Sequence, residues 1–215
     1  MKSLNFYAWP VFALFVLAAS PAAAQTISQE PGMYLQANLG SGLGGTTHVS
    51  AAVSGIGSAK GDFNPDSGLF TSVAAGESFK NGLAMELEGI YARNDINTSS
   101  LDTLVGAPAH ASLTAYGALA NVIYAVGRIG PVVPYVGAGL GYGGVRYNLS
   151  GGGATDNGMM WQLRAGVSYP MTSKVSLDLG YRYLDTPRFK DAIDTAYIKV
   201  HTGLHALSAG VRVRF

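Results

Sequence analysis

The sequence predicts an all-β protein: an eight-stranded antiparallel up-and-down transmembrane β-barrel with short turns at one mouth and long loops at the other. Three observations predict it. The chain ends in strict alternation, with His205, Leu207, Ala209, Val211, Val213 and Phe215 on one face and Ala206, Ser208, Gly210, Arg212 and Arg214 on the other. Charge alternates with bulk up to the last residue, the pattern of a strand with one face in lipid and the other on a polar lumen. Hydrophobic residues make up 48% of the chain and charged residues 13%, yet no segment after the N-terminal leader is both long and apolar enough for a spanning helix. Finally, about eight alternating stretches are joined by connections that are tight and long in turn.

At the N-terminus, Lys2 opens a short basic region and Val11 to Ala19 is apolar. Pro21 breaks the run, and Ala22-Ala23-Ala24 before Gln25 fits small-residue cleavage. Residues 1–24 are therefore read as a signal peptide, cut between Ala24 and Gln25, and residues 25–215 as one barrel domain. The apolar run is too short to span a bilayer, and no lipid-accepting cysteine follows it.

The strands are expected near Met33 to Gly42, Gly68 to Ser78, Leu83 to Arg93, Leu113 to Val126, Val133 to Tyr147, Met159 to Tyr169, Val175 to Thr186 and Ala206 to Phe215. Ile129 to Val145, which takes in most of the fifth strand, is the nearest candidate for a spanning helix. It carries Gly at 137, 139, 141 and 143 and Pro at 131 and 134, which a helix tolerates badly, so it is a strand with a smooth inner face. The second, fourth and sixth connections are tight: Phe79 to Gly82, Gly127 to Val132, and Pro170 to Lys174, with Asn-Gly supplying turn chemistry. The first, third, fifth and seventh are longer and polar: Leu43 to Ser67, Asn94 to Ser112, Asn148 to Gly158, and Pro187 to His205. Short turns face the periplasm and long loops face outside in such barrels, which puts both termini inside.

Aromatics sort into two belts on these strands. Tyr34, Tyr124, Tyr135, Tyr169 and Phe215 fall at the inner ends, and Phe70, Tyr91, Tyr116, Tyr142, Trp161, Tyr181 and Tyr183 towards the outer ends. A bilayer interface selects such residues, because the ring buries apolar surface while its polar edge stays wet. The chain has no cysteine, which excludes a disulfide framework, and a net charge of +1 gives no case for a nucleic-acid partner.

Pro134 to Gly143 (PYVGAGLGYG), Leu177 to Tyr183 (LDLGYRY) and the Gly210 to Phe215 ending (GVRVRF) resemble the small OmpA-type or opacity-related β-barrel surface proteins of Gram-negative bacteria. The terminal Phe215 is similar to the C-terminal signature of outer-membrane barrels and is taken as the assembly signal read by the barrel assembly machinery. The resemblance covers essentially the whole mature chain. It implies an outer-membrane location, contact with outer-membrane lipid and lipopolysaccharide, and an antigen or adhesion-type surface role. The periplasmic peptidoglycan-binding domain of full-length OmpA has no counterpart here, so a cell-wall tether is not carried over.

Alternation also sorts the charges. With Leu83, Met85, Leu87 and Tyr91 towards lipid, Glu86 and Glu88 point inward, and the same logic places Arg164, Asp178, Arg182, Arg212 and Arg214 inside. Glu86, Glu88, Asp178, Arg164 and Arg212 all lie within a few residues of the inner strand ends, so an ion-pair plug is expected in the periplasmic half. An eight-stranded barrel is only about wide enough for side chains, and unpaired charges there would be strongly unfavourable. A charged constriction that selects small solutes is the alternative use of the same residues.

Three apparent motifs are set aside. Gly139 to Gly144 matches G-x-G-x-x-G, but Val145-Arg146-Tyr147 continues as strand where a phosphate-binding helix must begin. His110-Ala111-Ser112 is similar to the His-x-Ser pair of outer-membrane lipid A deacylases, yet the last glutamate is Glu88, so no later glutamate can orient the histidine. His201 and His205 are four apart on a loop entering a strand, so helical metal geometry does not apply. No catalytic residue, metal or cofactor is assigned. The outer loops, with Gly40 to Gly45, Thr46-Thr47-His48, Asn97 to Ser100 and Arg188 to Asp194, are the expected place for any surface ligand. Phe189, Ile193, Tyr197 and Ile198 are expected to pack the last loop on the rim. The sequence thus points to a monomeric, non-enzymatic outer-membrane barrel.

Overall fold

In the computed structural model, described over residues 31–53, 57–63, 67–96, 111–149, 152–187, 189–193 and 196–215, the chain is built of β-strands, with no helix among the described residues. The strands are β1 (Gly32–Val53), β2 (Gly57–Phe63), β3 (Gly68–Ser78), β4 (Leu83–Ile96), β5 (Ala111–Ala125), β6 (Val133–Leu149), β7 (Gly152–Pro170), β8 (Val175–Asp185), β9 (Phe189–Ile193) and β10 (Ala196–Arg214). Eight of them, β1, β3 to β8 and β10, pair in chain order with antiparallel neighbours. β10 returns to β1 from Tyr34↔Arg214 out to Val53↔Ala196, which closes the sheet and leaves the barrel proper without an edge.

Every strand read from alternation is present, and several run further outward than alternation alone suggests. β1 and β10 continue to Val53 and from Ala196, β6 and β7 stay paired up to Leu149↔Gly152, and β2 and β9 add short outer hairpins to β1 and β10. The expected loops at Leu43 to Ser67, Asn148 to Gly158 and Pro187 to His205 are therefore largely strand. His201 and His205 both sit in β10, not in a loop, and β9 pairs with the start of β10 from Ile193↔Ala196 to Phe189↔Val200. The expected packing of Phe189, Ile193, Tyr197 and Ile198 on the rim lies outside the described side chains. The physical reason is that a tilted membrane strand needs only about 9–11 residues, whereas β1 has 22 and β7 and β10 have 19 each. Beyond the bilayer both faces meet water, so polar, Gly-rich sequence can pair without showing alternation. β1 also gains one residue against β10 between Gly42 and Gly45, a bulge at the level where the membrane-spanning alternation ends.

The inner connections follow the turn chemistry. The Phe79 amide donates to the Leu83 carbonyl at 2.8 Å, and Asn81 Oδ1 accepts from the Leu83 amide at 3.1 Å. Gly82 has φ 83°, a left-handed conformation that favours glycine. In the β7–β8 turn, Thr172 Oγ1 accepts from the Lys174 and Val175 amides at 3.2 and 2.9 Å.

Alternation sends Met33, Leu35, Leu39, Val73, Met85, Leu87, Leu140, Leu163, Leu179, Leu207, Val211 and Phe215 outward as an apolar girdle. The two aromatic belts are thinner than expected. Tyr34, Tyr135 and Phe70 share the parity of inward residues and are buried in the lumen, because strand position alone does not choose the face. Tyr124, Tyr169 and Phe215 remain as the inner belt, and Tyr91, Tyr116, Tyr142 and Trp161 as exposed members of the outer one. Tyr181 and Tyr183 also point outward, half-buried around His205, with the Tyr181 hydroxyl 2.5 Å from His205 Nδ1.

Candidate functional site in the barrel lumen

The interior is layered. At the inner end Tyr34, Ala84, Ile123 and Tyr135 form a small apolar cluster. Towards the outer end, Phe70, Ile90, Ala92, Leu113, Ala115, Leu119, Val145, Met160, Leu184, Leu204 and Ala206 form a larger one. Between them lies a ring of polar side chains. Cross-strand register builds this ring: Gln36 lies beside Ala74 on β3, Ala74 beside Glu88 on β4, Glu86 beside Asn121 on β5, and Gly139 beside Gln162 on β7. Arg164 is opposite Arg182 on β8, and Arg212 is opposite Gln36, which closes the circle.

Glycine makes room for the longest of these groups. Gly166 and Gly180 face each other across β7 and β8, and a Cβ on either would stand 2.6 Å from the Tyr135 hydroxyl. Gly139, on the smooth face of β6, leaves space for the Asn121 amide.

The charges are brought together in two groups. Arg164 pairs with Glu86 and lies 3.5 Å from Glu88, and Arg182 reaches Glu88 at 2.9 Å. Arg212 stands 3.6 Å from Asp178. Three guanidiniums thus face three carboxylates, and all six side chains are buried. Arg214, at the inner rim one row below Arg212, is partly exposed and donates to the Ser173 carbonyl at 3.4 Å.

Sequence reasoning missed the neutral half of the ring. Asn121 donates to Glu86 and Glu88, at 2.9 Å each. Gln162 donates to Glu88 at 2.6 Å and to Asn121 Oδ1 at 2.8 Å, while its own carbonyl accepts from Arg182 at 3.0 Å. The Tyr34 hydroxyl donates to Glu86 at 2.9 Å. Gln36 accepts two hydrogen bonds from Arg212, at 2.9 and 3.0 Å, and hands the chain on through Asn38 to Ser72. Arg182 lies over the Phe70 ring at 4.2 Å and Arg212 over Tyr34 at 4.5 Å, so aromatic faces cover the guanidiniums. The missed amides were findable, since each has the inward parity of the charge beside it.

The two groups are not equally satisfied: Arg182 Nε and both Asp178 oxygens are buried without a hydrogen-bond partner, and Asp178 has only Arg212 nearby as an ion pair, at 3.6 Å. Among the described residues no cluster of His, Cys, Asp or Glu has metal-binding geometry. His110, Asn97 to Ser100, Arg188, Asp194 and the Ala24/Gln25 cleavage site lie outside the described residues.

A closed antiparallel barrel with an outward apolar girdle is what spanning an outer membrane with strands requires, and the outer membrane protein β-barrel domain family matches residues 11–215. The chain belongs to this family. An outer membrane protein of Gluconacetobacter diazotrophicus is 29% identical over 194 residues, which span 80% of this chain and 50% of that one. The chain spans about half the length of the curated relatives it matches. Among solved structures, the Neisserial surface protein A barrel is similar at 29% identity and a TM-score of 0.51, covering 86% of this chain and 97% of that one. OprG of Pseudomonas aeruginosa shares the fold at 13% identity and a TM-score of 0.55, with 86% and 97% covered. Membership of the family places the protein in the outer membrane.

Proposed function

We propose that this protein is a non-conducting, non-enzymatic surface barrel, exported by a cleaved leader, whose lumen is closed by the ion-pair ring and whose outer hairpins serve for surface contact. The observation that carries the reading is the filling of the lumen: six buried charges of balanced sign stand under a continuous apolar cluster. A hydrated ion crossing it would have to leave its water at the apolar layer and compete with pairs already made at the polar one. The similarity to a Neisserial protein whose name places it at the surface supports the outward role.

Single-channel recording of the purified, refolded barrel tests the proposal. The parent is expected to conduct weakly or not at all, and Glu86→Gln with Glu88→Gln to raise ion passage by leaving guanidiniums unpaired. A large, steady, ion-selective conductance in the parent would replace this reading with a small-solute channel, the function that the polar half of the lumen would then serve.

A further inference from the structure

The outer wall over β4, β5 and β6 differs from the rest of the girdle. Register places Arg93, Thr114 and Arg146 in one row, with Leu69 of β3 beside Arg93. All three point away from the lumen, between the buried Ala92, Asn94, Leu113, Ala115 and Val145, and both arginines are exposed. Arg146 Nε is 3.4 Å from Thr155 Oγ1 of β7. The next row inward is Thr71, Tyr91, Tyr116 and Gly144, and the one below it Val73, Gly89, Ala118 and Tyr142.

These two lower rows enclose an open groove of about 450 Å³, bordered by Thr71, Val73, Tyr91 and Tyr116. Its floor is Gly89, where an added Cβ would meet only Val73 Cγ2, at 4.0 Å. Elsewhere Leu87, Leu140, Leu163 and Leu179 fill the girdle at lipid-facing positions. Here the wall is hollow, directly beneath two cations that stand about 10 Å apart at two inter-strand spacings.

We propose that this face binds the phosphorylated glycolipid of the outer leaflet, lipopolysaccharide, with a phosphate on Arg93 and Arg146 and an acyl chain in the groove over Gly89. Charge and depth agree on this occupant. Guanidinium is suited to forked, charge-assisted hydrogen bonds to phosphate. The row lies at the outer aromatic level, where the headgroup of an outer-leaflet lipid begins, and the groove descends from it into the apolar girdle. Tyr91 and Tyr116 line the step between the two environments, as amphipathic rings do. The inference rests on the orientation in which the tight turns face the periplasm, and that orientation has its own accessibility test below.

Native mass spectrometry of the full mature barrel, exchanged into defined lipids, tests the site. The probes are bisphosphorylated lipid A, the same lipid A with its phosphates removed, and phosphatidylglycerol. The parent is expected to retain bisphosphorylated lipid A about tenfold or more better than the dephosphorylated form, and Arg93→Gln with Arg146→Gln to abolish that preference. Gly89→Leu, whose Cβ meets only Val73 Cγ2 and whose side chain would occupy the floor, is expected to weaken retention while the heat-modifiable mobility of the folded barrel stays unchanged. Equal retention of the phosphorylated and dephosphorylated forms, retention insensitive to both variants, or equal retention of phosphatidylglycerol would each overturn the proposal. So would a dimer of this chain that Gly89→Leu disperses, since the groove would then hold a second copy.

Discussion

Glu88 shows what a buried charge requires in so narrow a barrel. It is fully enclosed and accepts from Arg182, Asn121 and Gln162, with Arg164 nearby. Glu88→Ala would leave two guanidiniums with one carboxylate fewer in a site that water reaches poorly. The expected loss is about 3 to 5 kcal/mol, less where water enters the cavity, read as a fall in unfolding midpoint in urea with lipid vesicles present. An unchanged midpoint would mean that the ring is hydrated and contributes little. The glycines set the opposite constraint. Gly180→Ala puts a Cβ 2.6 Å from the Tyr135 hydroxyl, and overpacking of this kind costs about 1 to 3 kcal/mol. Since the clash is with the hydroxyl, Tyr135→Phe should recover most of the loss. A double-mutant cycle with no coupling would show that the ring simply moves aside.

At the scale of the element, β10 carries the most information. It pairs with β1 and β8 in the barrel wall and ends with the Phe215 amide donating to the Met33 carbonyl at 3.0 Å, its ring 70% exposed on the lipid face. So exposed a ring adds little packing within the folded barrel. Phe215→Ser is therefore expected to lower outer-membrane levels in cells far more than it lowers stability in detergent, and equal cellular levels of variant and parent would remove its role as an assembly signal. β10 also marks where the sequence stops being readable. From Ala206 to Phe215 one face is lipid and the other lumen, so period two is imposed by two different solvents and appears in the residues. From Ala196 to Val200 the strand is held by pairing with β1 and β9 beyond the barrel wall, and nothing there obliges its two faces to differ. The lumen follows the same logic. Its charges are legible because the lipid face excludes ionisable residues, so a charge within a spanning strand has to take the inward parity. The amides and Tyr34 were overlooked because a polar or aromatic residue near a strand end also fits an interface.

For the molecule as a whole, the extra strand length lies at one mouth only. The inner connections are short, with turns at Phe79 to Gly82 and Met171 to Lys174, while β1, β6, β7 and β10 run on beyond the opposite mouth. The lumen is asymmetric in the same direction, with the polar ring nearer the short turns and the larger apolar cluster nearer the extensions. A barrel inserted from the periplasm must pass one set of connections through the bilayer during assembly, and in single-chain outer-membrane barrels the short ones stay behind. This orientation puts Arg93 and Arg146 at the outer leaflet, the outer hairpins in the medium and the charged ring towards the periplasm. It predicts that a protease-cleavable tag inserted near Ser99 or Asp191 is cut by protease added to intact cells, whereas one near Asn81 or Ser173 is cut only after the outer membrane is opened. The reverse pattern would turn the barrel over. It would put the arginine row against the inner leaflet, where phospholipid replaces glycolipid, and remove the outer hairpins from any role at the cell surface. The ion pairs within the lumen would be unaffected, because cross-strand register sets them whichever way the barrel faces.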